Sequence, residues 1–135
     1  MTTMSPNDSF SEIAAALRGA RRIGCTSHIR PDGDALGSLL GFALSMELAG
    51  KDVVAISQDG VPWHLAFLPG AEKIQKPNGS PLDIDVAVAL DTATHERVGE
   101  GCRLALSAAP VLINIDHHGS NPRYGTLNYI DSKAP

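Results

Sequence analysis

The chain has only two cysteines, Cys25 and Cys102, and they lie far apart. They form no CxxC pair. They form no disulfide framework either, and two reduced, buried thiols in a cytoplasmic protein are expected. Basic charge is also scarce: 11 Lys and Arg stand against 15 Asp and Glu, for a formal net charge of −4. That excludes the basic footprint of a protein that binds long duplex nucleic acid. An anionic substrate would need its positive charge from somewhere other than a lysine-rich surface. The opening "MTTMSPNDSFSE" has neither the basic start nor the apolar core of a signal peptide. The most apolar stretch, "ALGSLLGFALSMELAG", is short and is broken by Ser38, Ser45 and Glu47, so no membrane span is expected. There is no internal repeat and no low-complexity segment.

What remains is an ordinary globular composition, 43% hydrophobic and 19% charged, in 135 residues, one domain's worth. "SFSE" reads as a capping box, with Ser9 as cap and Glu12 three residues on. Phe10, Ile13, Ala14 and Leu17 continue at helical spacing until Gly19. "RIGCTS" reads as a first strand. A helix is predicted from about Asp34 to Ala49, with Leu36, Leu39, Leu40, Ala43 and Met46 on one side and Gly50 as the stop. "VVAIS" (53–57) is a second strand. "VPWHLAFLPGAEKI" reads as a short helix or turn, and "QKPNGSP" as a loop. "DVAVALD" (85–91) and "VLINID" (111–116) are apolar runs that each stop at an acid, with the broken helix "ERVGEGCRLALSAA" between them. Strands without alternation, separated by helical segments, predict an α/β fold: a parallel sheet with helices on both faces. Right-handed crossovers then bring all strand C-termini to one edge, where ligands bind in such sheets.

Three of these strands end in polar groups of one kind. The first leads into "SHIRPDGDALGS", with His28, Asp32 and Asp34; the third ends at Asp91; the fourth ends at Asp116, His117 and His118. Each has a commonplace reading. "PDGD" is a common turn, Asp34 or Asp91 could cap a helix, and adjacent histidines often lie on a surface. Three coincidences at strand ends favour one shared site. Four carboxylates cannot sit together ionised without a counter-charge, and a mixed carboxylate and imidazole set suits divalent manganese, zinc or iron. A shared carboxylate could bridge two ions about 3.5–4 Å apart. Gly33, between the two acids, is expected to allow a tight turn that aims both at one cavity, with Pro31 stiffening its entry. Asp34 would lie near the N-terminus of the following helix, which favours negative charge and phosphate. His64 and His95 have no such support and are expected to be structural or exposed.

At "DHH" (116–118), after the apolar run "VLINI", the chain resembles the DHH phosphoesterase superfamily. "SHIRPDGDALGS" looks like its first motif, Asp91 its second and Asp116-His117-His118 its third. "FLPGAEKI", "LDTATHERVG", "DHHGSNPRYGTLNYID" and "EIAAALRGARRI" are similar to the bacterial group of bifunctional oligoribonucleases and adenosine bisphosphate phosphatases, the nanoRNases. The resemblance implies a Rossmann-like DHH domain and a manganese-dependent, cytoplasmic hydrolase. Two Mn²⁺ are implied, with Mg²⁺ or Co²⁺ as substitutes. His28 and Asp32 would hold the first ion, Asp34 and His117 the second, and Asp91 would bridge both. His118 would contact the scissile phosphate and Asp116 would orient the neighbouring imidazoles. Bridging water or hydroxide would attack phosphorus. The substrate would be a short oligonucleotide or a nucleoside 3′,5′-bisphosphate, and a homodimer is compatible with the pattern.

Family members continue into a fourth motif, whose aspartate completes the second metal site, and then into a smaller substrate-gripping domain. Asp131, in "NYIDSKAP", does not match that motif. Residues 1–135 are therefore read as the N-terminal catalytic part of a longer protein. By itself this part is expected to bind manganese, to turn over substrate poorly and to expose sheet edges that invite self-association. Competing readings are a cyclic dinucleotide phosphodiesterase or pyrophosphatase of the same superfamily, and a non-catalytic metal- or nucleotide-binding module.

Overall fold

The computed structural model of the chain describes residues 7–135. Among these, five strands form one sheet in the order β2-β1-β3-β4-β5, every neighbour parallel. The strands are β1 (Arg22–Thr26), β2 (Asp52–Ala55), β3 (Val86–Leu90), β4 (Val111–Asp116) and β5 (Leu127–Ile130). The helices are α1 (Phe10–Gly19), α2 (Gly33–Leu48) and α3 (Glu100–Leu106). The α/β parallel sheet read from the sequence is therefore the fold, with β5 as an additional strand. β5 carries no long apolar run, and its "LNYI" alternates between half-buried and buried, which made it illegible as a central strand.

From β1 the chain moves outward to β2 through α2. From β3 it moves the opposite way to β4 through α3. Right-handed crossovers in opposite directions must put their helices on opposite faces. The core shows this residue by residue. Val86, Val88 and Leu90 of β3 pack with Ile13 of α1 and Leu36, Leu39 and Leu40 of α2. Ala87 and Ala89, on the other face, pack with Val98, Cys102, Ala105 and Leu106 beneath α3. Cys25 and Cys102 are both fully buried. Burial pushes the Cys25 thiol up to about 12, so it stays a protonated packing group.

Local chemistry sets the element ends. Ser9 accepts a hydrogen bond from the Glu12 N–H at 3.0 Å and caps α1. Asp32, not Asp34, caps α2, accepting from Ala35 N–H at 2.9 Å. The broken helix resolves into a 3₁₀ turn at His95–Val98 and then α3, parted by Gly99 at φ 96°. The segment 61–74 forms two short 3₁₀ turns, at Trp63–Leu65 and Ala71–Lys73. Among the described residues no helix is long and apolar enough to cross a membrane.

The outer edge of β5, expected bare, is occupied. Asp8 N–H donates to the Asn128 carbonyl at 2.9 Å, and Asn128 N–H donates to the Asp8 carboxylate at 2.7 Å. The Asn7 amide pairs with Ile130 in the same way, at 3.1 and 2.8 Å. The Asn7 side chain, with the backbone N–H and carboxylate of Asp8, thus takes the place of a neighbouring strand and blunts that edge.

Gly125 packs against backbone: a Cβ there would meet the Leu127 and Leu112 carbonyl oxygens at 2.7 and 2.8 Å. Gly41, inside α2, has nothing within 4 Å of the same position. Gly125→Ala is expected to cost about 1–3 kcal/mol by forced overpacking, whereas Gly41→Ala should gain roughly 0.5–1 kcal/mol from helix propensity. Urea denaturation of both variants checks the opposite signs.

Candidate metal centre

The sheet reverses its winding between β1 and β3, and the crevice outside their C-terminal ends is where open α/β sheets bind ligands. Asp91 follows β3 at that point. Its φ is 54°, a left-handed conformation that non-glycine residues rarely adopt. The turn is held by the Asp91 N–H, which donates to the Ile115 carbonyl at 3.0 Å. It drives the carboxylate inward, where the residue is 6% exposed.

His28 faces Asp91 from the loop after β1. Its Nε2 lies 3.6 Å from Asp91 Oδ2 and 3.8 Å from Asp32 Oδ1. Its Nδ1 lies 2.6 Å from the Ile29 carbonyl oxygen. A carbonyl only accepts, so in the neutral ring Nδ1 carries the proton and Nε2 presents its lone pair to the two carboxylates. Both distances are too long for hydrogen bonds. One imidazole lone pair and two carboxylates therefore face one another without a hydrogen bond between them. From the loop after β4, His117 Nε2 lies 2.8 Å from Asp91 Oδ1 and 3.4 Å from Asp34 Oδ2. Asp34 is in the first turn of α2, so the helix N-terminus partly offsets its charge.

Asp116 ends β4 and is held from two sides. Asn121 Nδ2 donates to Oδ2 at 2.9 Å, and His118 Nδ1 donates to Oδ1 at 2.7 Å. The Asp116 carboxylate therefore orients one imidazole, His118; the nearest carboxylates to His117 are Asp91 and Asp34. Asn121 Nδ2 also reaches Asn114 Oδ1 at 2.8 Å, and Asn114 Nδ2 donates to the Ala89 carbonyl at 3.2 Å. This buried amide pair ties the tips of β3 and β4 together. Asn114 announced itself only as a polar residue inside the apolar run "VLINID"; Asn121 lies in the family-like stretch "DHHGSNPRYGTLNYID", where nothing singled it out.

The environments drive the two buried carboxyls apart. Burial, then the charge of Asp34, raise Asp91 above the usual carboxylate range, although His117 and His28 pull the other way. Burial also pushes Asp116 upward, but hydrogen bonds from Asn121 and His118 outweigh it and leave that group below its ordinary value. For His117, burial lowers the pKa, but the Asp91 hydrogen bond and the surrounding acids raise it on balance.

All seven predicted residues therefore meet at one edge. Ligand atoms of His28, Asp32 and Asp91 lie within 4.8 Å of one another, and so do those of Asp91, Asp116, His117 and His118. His64 and His95 lie outside, both exposed: His64 meets Trp63 edge-on, and His95 stacks on Tyr124 at 5.5 Å. The turn argument for Gly33 fails. Gly33 opens α2 without a positive φ, and a Cβ there would meet nothing within 4 Å. The left-handed residue of this loop is Arg30, at φ 50°. Its N–H is fixed by the Asp59 carboxylate at 2.7 Å.

Residues 22–135 match the family described as DHH family, N-terminal domain. The chain belongs to the DHH family. Over 125 residues this DHH domain is 37% identical to the bifunctional oligoribonuclease and PAP phosphatase NrnA of Thermus thermophilus, covering 92% of this chain and 36% of that protein. It is 29% identical over 110 residues to the protein of the same name from Bacillus subtilis, covering 79% and 32%. A crystal structure of an exopolyphosphatase-related protein from Bacteroides fragilis superposes with a TM-score of 0.82 at 26% identity, over 92% of this chain and 38% of that one. The DHH domain thus spans about a third of the length of these relatives.

A carboxyl whose pKa is raised by folding binds its proton more tightly in the folded state. Stability then falls as pH rises from the unfolded value through the folded one, and the ionised Asp91 opposes the metal-free fold at neutral pH. Asp91→Asn removes the charge and tolerates the left-handed backbone. It should stabilise the metal-free domain by on the order of 1 kcal/mol, while Asp91→Ala should lose stability; thermal melts in chelator at pH 7 separate the two.

Proposed function

We propose that this DHH domain is the catalytic part of a divalent-metal phosphoesterase acting on short oligonucleotides or a nucleoside 3′,5′-bisphosphate. The observation that carries the reading is the His28 lone pair, aimed at Asp32 and Asp91 across 3.6–3.8 Å. Neighbouring donors that each lie roughly 2.0–2.2 Å from a common ion are about 2.8–3.6 Å apart, so a small inward shift of these side chains would close them on one cation. His28, Asp32 and Asp91 would hold one cation. Asp34, Asp91 and His117 would hold a second, with the proton that His117 shares with Asp91 displaced on binding. Manganese fits this donor set, and magnesium or cobalt could substitute.

A divalent cation held there supplies the charge that makes water acidic enough to attack phosphorus and that neutralises phosphate oxygens. The protein's own residues do the rest. Asp116, kept ionised by Asn121, holds the His118 ring in place. His118 would then present Nε2 to the phosphate undergoing attack. The names of the relatives support an oligonucleotide and nucleotide substrate class, and the net charge of −4 suits small substrates over long duplexes. A bacterial cytoplasm is the setting proposed, since short oligonucleotides and nucleoside bisphosphates arise there.

Calorimetry with Mn²⁺ and hydrolysis of a dinucleotide and of adenosine 3′,5′-bisphosphate test this. His117→Ala should weaken manganese binding by at least about tenfold. His118→Ala should leave it nearly intact and cut turnover by roughly 10²–10³-fold. Equal loss of metal affinity in the two variants would overturn the division of roles, and no binding of manganese by the unmodified protein would overturn the metal reading itself.

A further inference from the structure

Two cavities flank Asp91. One, of about 170 Å³, is lined by Asp34, Asp91, Asp116 and His117 among others, with no lysine or arginine. The other, of about 360 Å³, is lined by His28, Asp91, Ala93, Thr94, Arg97 and His118. A phosphate carries negative charge into whichever it enters. The first cavity meets it with three carboxylates. The second sets two imidazoles and one guanidinium against a single carboxylate.

Arg97 is built for this position. Its N–H donates to the Thr94 carbonyl at 3.1 Å and to Thr94 Oγ1 at 3.3 Å. Its own carbonyl accepts the Ile29 N–H at 2.7 Å, one residue from His28. The backbone is thus clamped to the loop that carries His28. The guanidinium, by contrast, has no carboxylate within salt-bridge distance among the described residues. An arginine left unpaired beside a cluster of acids, with its backbone pinned and its fork free, is available to a planar array of phosphate oxygens. Across the cavity, His118 has Nδ1 engaged by Asp116, and Nε2 has no protein partner among the described residues.

We propose that Arg97 is a substrate-binding residue, taking the non-bridging oxygens of a nucleotide phosphate in the cavity it shares with His28, Thr94 and His118. The proposal rests on the phosphoesterase reading above. It also supplies the positive charge that the overall composition lacks. Since the backbone contacts of Arg97 survive truncation, its side chain can be tested without dismantling the site.

The test uses R97A and R97K in the intact protein. Manganese affinity and melting temperature should match the unmodified protein in both. In manganese buffer, calorimetry with inorganic phosphate should show about tenfold or greater loss of affinity in R97A, the scale of a lost charge-assisted hydrogen bond pair, with partial recovery in R97K. With adenosine 3′,5′-bisphosphate, KM should rise by a similar factor and kcat fall less. Equal phosphate affinity in R97A and the unmodified protein would overturn the role of Arg97, whatever the turnover. So would failure of the unmodified protein to bind phosphate at millimolar concentration. A tenfold loss of phosphate affinity in R97A without turnover by the unmodified protein would support Arg97 and count against the proposed activity instead.

Discussion

A carboxylate buried at the point where a sheet reverses its winding is the constraint around which this domain is organised. Asp91 follows β3, is almost fully enclosed, and sits in a left-handed backbone conformation. A group so placed loses hydration and gains no matching internal cation from lysine or arginine. One neighbour answers that loss directly: His117 hydrogen-bonds one Asp91 oxygen, whereas His28 faces the other oxygen with its lone pair. Nothing in the packing of the core requires an ionisable group there. The cost of burial and of the left-handed backbone persists because the surrounding strands and hydrogen bonds over-determine the position.

The rest of the fold can be understood as the frame that keeps this arrangement. Right-handed crossovers in opposite directions send α2 and α3 to opposite faces and leave the strand tips between them open. On one face β3 offers Val86, Val88 and Leu90 to α1 and α2; on the other, Ala87 and Ala89 let α3 approach closely. The Asn114–Asn121 amide pair then locks the tips of β3 and β4 at fixed spacing. Such a buried polar link is stable only because every amide arm has a partner. It also keeps Asp116 ionised beside His118, while Asp91, a strand away, is pushed the other way. Two carboxyls with opposed environments at one sheet edge are the electrostatic signature of the site.

Charge distribution gives the site a direction. One cavity beside Asp91 is acidic; the other contains Arg97 and two histidines. In a chain of net charge −4, placement of a single guanidinium outweighs the total count of basic residues. Recognition of one phosphate needs a local positive group and no net positive charge.

The sequence alone determined the α/β class, four of the five strands and the grouping of seven polar residues at strand ends. It could do so because buried parallel strands are written as unbroken apolar runs, and an acid or histidine ending such a run stands out. Tertiary structure decided what those runs cannot encode. Leu127–Ile130 became a strand because β4 offers it an edge and Asn7 and Asp8 cover its outer side. Asp32 became the helix cap, and Gly33 lost the turn role its spacing suggested. Asn121 and Arg97 come from loops and short turns that carry no periodicity; both lie inside family-like stretches, but no spacing singles them out there. Their contributions depend on where three strand tips converge, and that convergence exists only once the sheet has formed.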